Sequence, residues 1–286
     1  ESEDRFGFGE VGYLLLSGQL PTSAQLSRFT DMIGEARALP DNFTEDMIMR
    51  APSRDIMNKL AGATLALYSY DPNPDDISPE NILRQGISLM AKFPVIISHA
   101  YQARRRYFEG QSMYLHVPDP KLSTAENILH LIRPDGTCTD EEAKLLDRCL
   151  IIHAEHGGGN NSAFATRVVS SSGTDTYSAI AAAVGSLKGP RHGGANLKVV
   201  QMFEDIKANV SDWTDQEEVY QYLLRILAGE VGDHSGLIYG MGHAIYTLSD
   251  PRAVALKSAA RPLAEKKGYL DEFNLIELVE KLTPGA

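Results

Sequence analysis

Helix punctuation constrains this chain more than any other feature. The stretches "STAE" (123–126), "TDEE" (139–142) and "TDQE" (214–217) each set a Ser or Thr three residues before a Glu. In that pattern side chain and backbone at a helix start satisfy each other's hydrogen bonds. Apolar residues follow at helical spacing: Ile128, Leu129 and Ile132; Leu145, Leu146, Cys149 and Leu150; Val219, Leu223, Leu224 and Leu227. A second set of boundaries uses proline near the start and glycine past the end. "SDPRAVALKSAARPLAEKKG" offers Ser249 or Asp250 as cap, Pro251 in the first turn and Gly268 as stop, with Pro262 expected to kink or divide the helix. "PTSAQLSRFTDMIGEARALP" and "SRDIMNKLAGATLALYSYD" read the same way, and "SPENILRQGISLMAKFPVIISHAYQARRRYFEG" reads as two helical pieces meeting at Pro94. Convincing period-two strands are absent, so the expected fold class is all-α.

A chain of 286 residues is long enough for one large or two unequal domains. Its formal net charge of −11 argues against a broad footprint for nucleic acid or an anionic membrane. The run Arg104, Arg105 and Arg106 is read as a solvated face or an interface. Two cysteines, Cys138 and Cys149, without CxxC spacing do not make a disulfide framework. The small-residue run "AIAAAVGSL" (179–187) is too short to span a bilayer, and "ESEDRFGFGE" is acidic where a signal peptide is basic and then apolar. A cytoplasmic compartment is the expectation.

Three glycine-dense segments, "HGGGNN" (156–161), "GPRHGG" (189–194) and "GEVGDHSGLIYGMGH" (229–243), each carry a histidine. In a helical protein such segments are where backbone can meet a ligand. "GFGEVG" (7–12) matches a nucleotide-binding pattern, but no strand precedes it and helix follows, so it is set aside. His153 and His156 stand at i and i+3 with Glu155 between them; zincin spacing is i and i+4, and with no third ligand evident no metal is expected. His192 lies just before the helix "ANLKVVQMFEDI", where the positive end of the helix favours a neutral ring. A neutral imidazole N–H can donate to a developing enolate without first losing a proton. His243 follows a G-x-G, and Arg252 comes nine residues later inside a capped helix start. That arginine's rigid fork of donors suits a substrate carboxylate beside a carbonyl polarised by His243.

The ordered set "HAEHGGGN", "GPRHGGAN" and "GMGHAIYTLSDPRA", with "FGEVGYLLLSGQLPT" near the start, resembles the citrate synthase family over nearly the whole chain. The resemblance implies a large helical domain over 1–190 and a smaller one over 191–286 with the site in the cleft between them, and a homodimer. It implies that His156 and Arg252 bind oxaloacetate, that His192 hydrogen-bonds the acetyl-CoA thioester oxygen, and that His243 polarises the oxaloacetate ketone. The backbone from Leu237 to Gly242, including Ile238 and Gly240, corresponds to the loop that recognises the CoA adenine. No tightly bound cofactor and no metal are implied; acetyl-CoA is a co-substrate. Gly157, Ala244 and Thr247 depart from residues common in relatives, and Thr247 removes one candidate contact to a CoA phosphate. The family's catalytic aspartate falls beyond "EKLTPGA", Asp271 and Glu277 coming too early to match it, so N- and C-terminal parts of the family fold are expected to lie outside this sequence. Two alternatives stay open: 2-methylcitrate synthase using propionyl-CoA, and a noncatalytic CoA- or dicarboxylate-binding or oligomerisation fragment.

Overall fold

A computed structural model describes residues 5–155, 157, 159–241 and 250–286, and among them it contains helices, turns and loops but no strand. The chain divides into two compact units, Glu1–Lys188 and Gly189–Ala286. The first holds α1 (Phe8–Ser17), α2 (Ser23–Glu35), α3 (Ile56–Leu67), α4 (Pro79–Glu109), α5 (Thr124–Ile132), α6 (Asp140–His153), α7 (Asn161–Ser170) and α8 (Thr176–Leu187). The second holds α9 (Ala195–Asn209), α10 (Gln216–Leu227), α11 (Pro251–Lys267) and α12 (Leu270–Leu282).

Ser123 with Glu126 and Thr139 with Glu142 form the reciprocal caps read from the sequence. The third start differs. Asp215 rather than Thr214 caps α10, its carboxylate accepting from the amides of Glu217 and Glu218. A carboxylate makes a stronger, charge-assisted acceptor than a hydroxyl, and the Thr214 hydroxyl instead donates to Asp212 at 2.6 Å. Asp250 caps α11, Pro251 occupies its first turn, and Gly268 ends it at φ +78°.

Neither internal proline divides its helix. α4 runs unbroken for 31 residues through Pro94, a length of about 46 Å. The lost backbone bond costs about 3 kcal/mol, but Ile87, Leu89 and Ala91 before the proline and Val95, Ile96 and Ala100 after it are all buried. Breaking the helix would uncover one of those runs. α11 likewise continues through Pro262, tied to α12 by Lys257–Glu280 and Arg261–Glu277 ion pairs, both at 2.6 Å.

α4 is the axis of the first unit. Its Leu89, Ile96 and Ala100 share a core with Leu60 and Leu67 of α3, Tyr177 and Val184 of α8, and Phe43 and Ile48 around a short π-helical turn, Thr44–Met49. Its Ile87 and Ala91 pack with Phe29 and Ile33 of α2. The second unit is built on Met202 and Ile206 of α9, Val219, Leu223 and Ile226 of α10, and Leu275 and Val279 of α12.

Asp71, between α3 and α4, is the polar knot of the first unit. Its carboxylate accepts from Arg84 Nη2 at 2.7 and 2.8 Å, Gln85 Nε2 at 3.0 Å, the Tyr177 hydroxyl at 2.7 Å and the Asn73 amide at 2.9 Å. Burial opposes its charge, but the bonds from Tyr177, Asn73, Gln85 and Arg84 prevail and bring its pKa from 3.8 down to about 2. A carboxyl whose folded pKa is depressed stabilises the fold above its unfolded value and stops doing so as pH falls through the folded value. Acid unfolding should therefore show this contribution fading from about pH 4 to about pH 2, and Asp71→Asn should flatten the stability profile in that window. Asp71→Ala should cost about 1–3 kcal/mol in urea unfolding, because the buried Tyr177 hydroxyl loses its acceptor and an unmet buried group costs about that much, while Gln85 keeps the carbonyls of Asn73 and Pro74.

Candidate active site

Two of the sequence-derived histidines, His156 and His243, and Gly242 of the glycine loop lie outside the described residues. His192, Arg252, Leu237, Ile238 and Gly240 are described, all in the second unit.

The "GPRHGG" segment folds into a turn around one carbonyl. Gly189 O accepts from the amides of His192 at 3.0 Å and Gly194 at 3.1 Å, and His192 O then receives the first amide of α9, that of Ala195, at 3.1 Å. His192 is thereby held, half-buried, two residues before the N-cap Gly194. Gly194 has no side chain with which to cap α9, whereas the starts of α7, α8, α10 and α11 are closed by Asn160, Asp175, Asp215 and Asp250. The helix start beside His192 is the one in this series without a side-chain cap, its first amides, those of Ala195 and Asn196, being taken by the carbonyls of His192 and Gly193 at 3.1 and 3.4 Å.

Other histidines have structural partners of their own. His153 Nδ1 donates to the Cys149 carbonyl at 2.6 Å, closing the last turn of α6. His116 reaches Arg133 O at 2.9 Å, and His234 reaches Gly229 O at 2.9 Å. His99 pairs with the Thr44 hydroxyl at 2.9 Å, and burial lowers its pKa.

The glycine-rich segment after α10 is shaped by left-handed residues: Gly229, Gly232, His234, Gly236 and Gly240 all have φ between +58° and +80°. At Gly240, φ +80°, a Cβ would stand 3.0 Å from Val199 Cγ2 of α9, so the loop passes directly against the helix that His192 precedes. Lys198 of α9 bonds Asp233 of the loop at 2.9 Å, and Asp233 also receives the Tyr239 hydroxyl at 2.7 Å and the Ser235 amide at 3.1 Å. Hydrogen bonds from Ser235, Tyr239 and Lys198 hold the Asp233 carboxyl well below the usual carboxylate range, and the same pairing raises Lys198. Below the loop is a cavity of about 250 Å³ lined by Lys198, Met202, Asp205, Ile226, Leu237 and Tyr239. Its Asp205 accepts the Tyr222 hydroxyl at 2.7 Å, and burial together with that carboxylate pushes the phenol up to about 12.

Arg252 stands in the first turn of α11. Asp250, the cap, takes both the Arg252 amide at 2.9 Å and the Nε and Nη2 edge of its guanidinium at 2.6–3.1 Å. The sequence identified the arginine; that its own cap aligns the fork through a contact two residues away is seen only in the structure. Asp233 and Lys198 were not identified from sequence, although Asp-x-Ser before "GLIYG" is a side-chain-to-backbone turn signal. The structure brings the start of α9 and the 237–240 loop together. It sets Arg252 on α11, which packs against α12.

The family model described as "Citrate synthase, C-terminal domain" matches residues 2–286. The chain belongs to the citrate synthase family. It is 33% identical over 286 residues to a citrate synthase of Deinococcus radiodurans, covering 99% of this chain and 70% of that one. It is 34% identical over 266 residues to 2-methylcitrate synthase 1 of Corynebacterium glutamicum, covering 91% and 64%. The chain spans 61% to 70% of the length of these and six further relatives named for one or both activities. The Pyrobaculum aerophilum citrate synthase structure superposes with a TM-score of 0.80 at 27% identity, covering 98% of this chain and 67% of that one. The Thermoplasma acidophilum enzyme, solved as a ternary complex with carboxymethyl coenzyme A and oxaloacetate, superposes at 0.77 with 24% identity, covering 96% and 66%. The all-α fold is that of citrate synthases. No described helix is long and apolar enough to cross a membrane.

Gly240→Ala should destabilise the second unit by about 1–2 kcal/mol, the cost of a left-handed L-residue. Gly62→Ala, in α3 with open space around it, should stabilise by about 0.5–1 kcal/mol. Urea unfolding of the two variants checks both signs.

Proposed function

We propose that this protein condenses the methyl group of an acyl-CoA thioester with the ketone of oxaloacetate and then hydrolyses the product thioester to citrate and CoA. The observation that carries the reading is His192 held at the start of α9, which has no side-chain cap, with the glycine loop against the same helix, in a chain of the citrate synthase family.

A base removes the methyl proton, and charge develops on the thioester oxygen. His192 donates to that oxygen, where a fixed N–H lowers the barrier more than a solvent donor does. The nucleophilic carbon attacks the oxaloacetate ketone, whose oxygen His243 polarises and which leaves the step as a hydroxyl. His156 and Arg252 hold the oxaloacetate, with Asp250 fixing the Arg252 fork before substrate arrives. Water then cleaves the citryl thioester and frees the CoA thiol. The base is assigned to no residue numbered here; Glu277 is already paired with Arg261. The acyl-CoA is a co-substrate, and the reaction uses no resident cofactor.

The family relationship also supports a homodimer. α7 buries none of its own residues, and Phe164 and Val168 on α7, Leu65 on α3 and Leu187 on α8 stand exposed on helices that pack on one another. The proposed occupant of that apolar surface is a second copy.

Oxaloacetate-dependent release of free CoA thiol tests the reading, with acetyl-CoA and propionyl-CoA compared. The 2-methylcitrate synthase relatives make propionyl-CoA the alternative donor, and one methylene is discriminated by only about 1–3 kcal/mol. Release from neither donor would defeat the reading and favour a CoA- or dicarboxylate-binding role. His192→Ala should lower turnover by at least about a hundredfold, as loss of one donor to a developing oxyanion does, while the Kd for oxaloacetate changes less than about twofold. Unchanged turnover would remove His192 from the mechanism.

A further inference from the structure

We propose that Asp233 is a positioning residue for acyl-CoA: its carboxylate fixes the segment 237–240 against α9 in the conformation that receives the nucleotide end of the thioester. The inference rests on the functional reading above and names a residue which that reading does not use.

Asp233 bonds in two directions. Across the fold it holds Lys198, 35 residues away in sequence, in the first turn of the helix that follows His192. Along its own loop it holds the Ser235 amide and the Tyr239 hydroxyl, which bracket Leu237 and Ile238. Tyr239 is further fixed by its hydroxyl contact with Ser235 Oγ at 3.0 Å, and Lys198 Nζ lies 5.9 Å from the centre of its ring.

Apolar packing supplies only part of the constraint. Ile238 and Tyr239 lie against the core of the second unit, but Leu237 between the polar anchors is 56% exposed and borders the 250 Å³ cavity. The backbone also passes through five left-handed positions between Gly229 and Gly240, conformations that an untethered chain would leave. A recognition loop held in its bound shape avoids the ordering cost that a loose one meets on binding. Loss of Asp233 should therefore appear in the affinity for CoA and leave the dicarboxylate end of the site unaffected.

The test is calorimetric titration of the whole protein with CoA and, separately, with oxaloacetate, for wild type, Asp233→Ala, Asp233→Asn and Lys198→Met, with a thermal midpoint for each. For Asp233→Ala the Kd for CoA should rise about tenfold, equivalent to one lost charge-assisted contact, with oxaloacetate affinity within about twofold of wild type. Asp233→Asn keeps an oxygen for Ser235 and Tyr239 but loses the charge, so it should recover part of the affinity. Lys198→Met should cost less than Asp233→Ala. Unchanged CoA affinity in Asp233→Ala would overturn the proposal, as would equal weakening of both ligands with a lowered midpoint, the mark of a merely structural role. A full loss in Lys198→Met with none in Asp233→Ala would overturn it too, making Lys198 a direct phosphate contact. Wild type that binds CoA but turns over neither donor defeats the condensation reading, while the variant affinities still decide the role of Asp233. Wild type that does not bind CoA overturns the proposal itself.

Discussion

An α-helix begins with amide groups that its own backbone cannot satisfy, and how each start meets that requirement organises this chain. Thr22, Asp55, Ser78, Ser123 and Thr139 cap α2 to α6 with side-chain oxygens, and Asn160 and Asp175 cap α7 and α8. α1 borrows its acceptor from α6, Asp147 receiving the amides of Gly7 and Phe8. α9 has glycine at the cap, and the turn around Gly189 O sets His192 beside it. There the backbone itself closes the start, the carbonyls of His192 and Gly193 taking the amides of Ala195 and Asn196.

The second constraint is backbone handedness. Between α10 and the end of the glycine segment the chain repeatedly adopts positive φ, which only glycine does without strain. Glycine can permit such a path but supplies no side-chain contact to hold it. The holding is shared between Ile238 and Tyr239, which pack on the core, and polar side chains such as Asp233, while His234 at φ +58° is secured by its bond to Gly229 O. Arg252 shows the same division of labour: the helix start places it, and Asp250 orients it.

Much of this was legible in the residues. Ser123, Thr139, Pro251 and Gly268 mark boundaries where the structure has them, because a cap or a stop is decided by hydrogen bonds and sterics within a few residues. The reading went astray where a local rule met a distant one. Pro94 reads as a break and Pro262 as a kink or a break, yet α4 and α11 are each continuous through them, at Pro94 because buried faces on both sides outweigh the roughly 3 kcal/mol lost. Thr214 looks like a cap, yet Asp215 is the stronger acceptor next to it.

By itself, then, the sequence determined the all-α class, several helix boundaries, the family through the ordered histidine motifs, and the placing of His192 and Arg252 at helix starts. All of these depend on interactions spanning a few residues, and such interactions are written in consecutive letters. Only the tertiary structure decided that α4 stays whole, that Asp71 gathers Arg84, Gln85 and Tyr177, and that Asp233 meets Lys198 across the turn of the chain. Those contacts join residues far apart in sequence, and their energy exists only once the helices between them have packed.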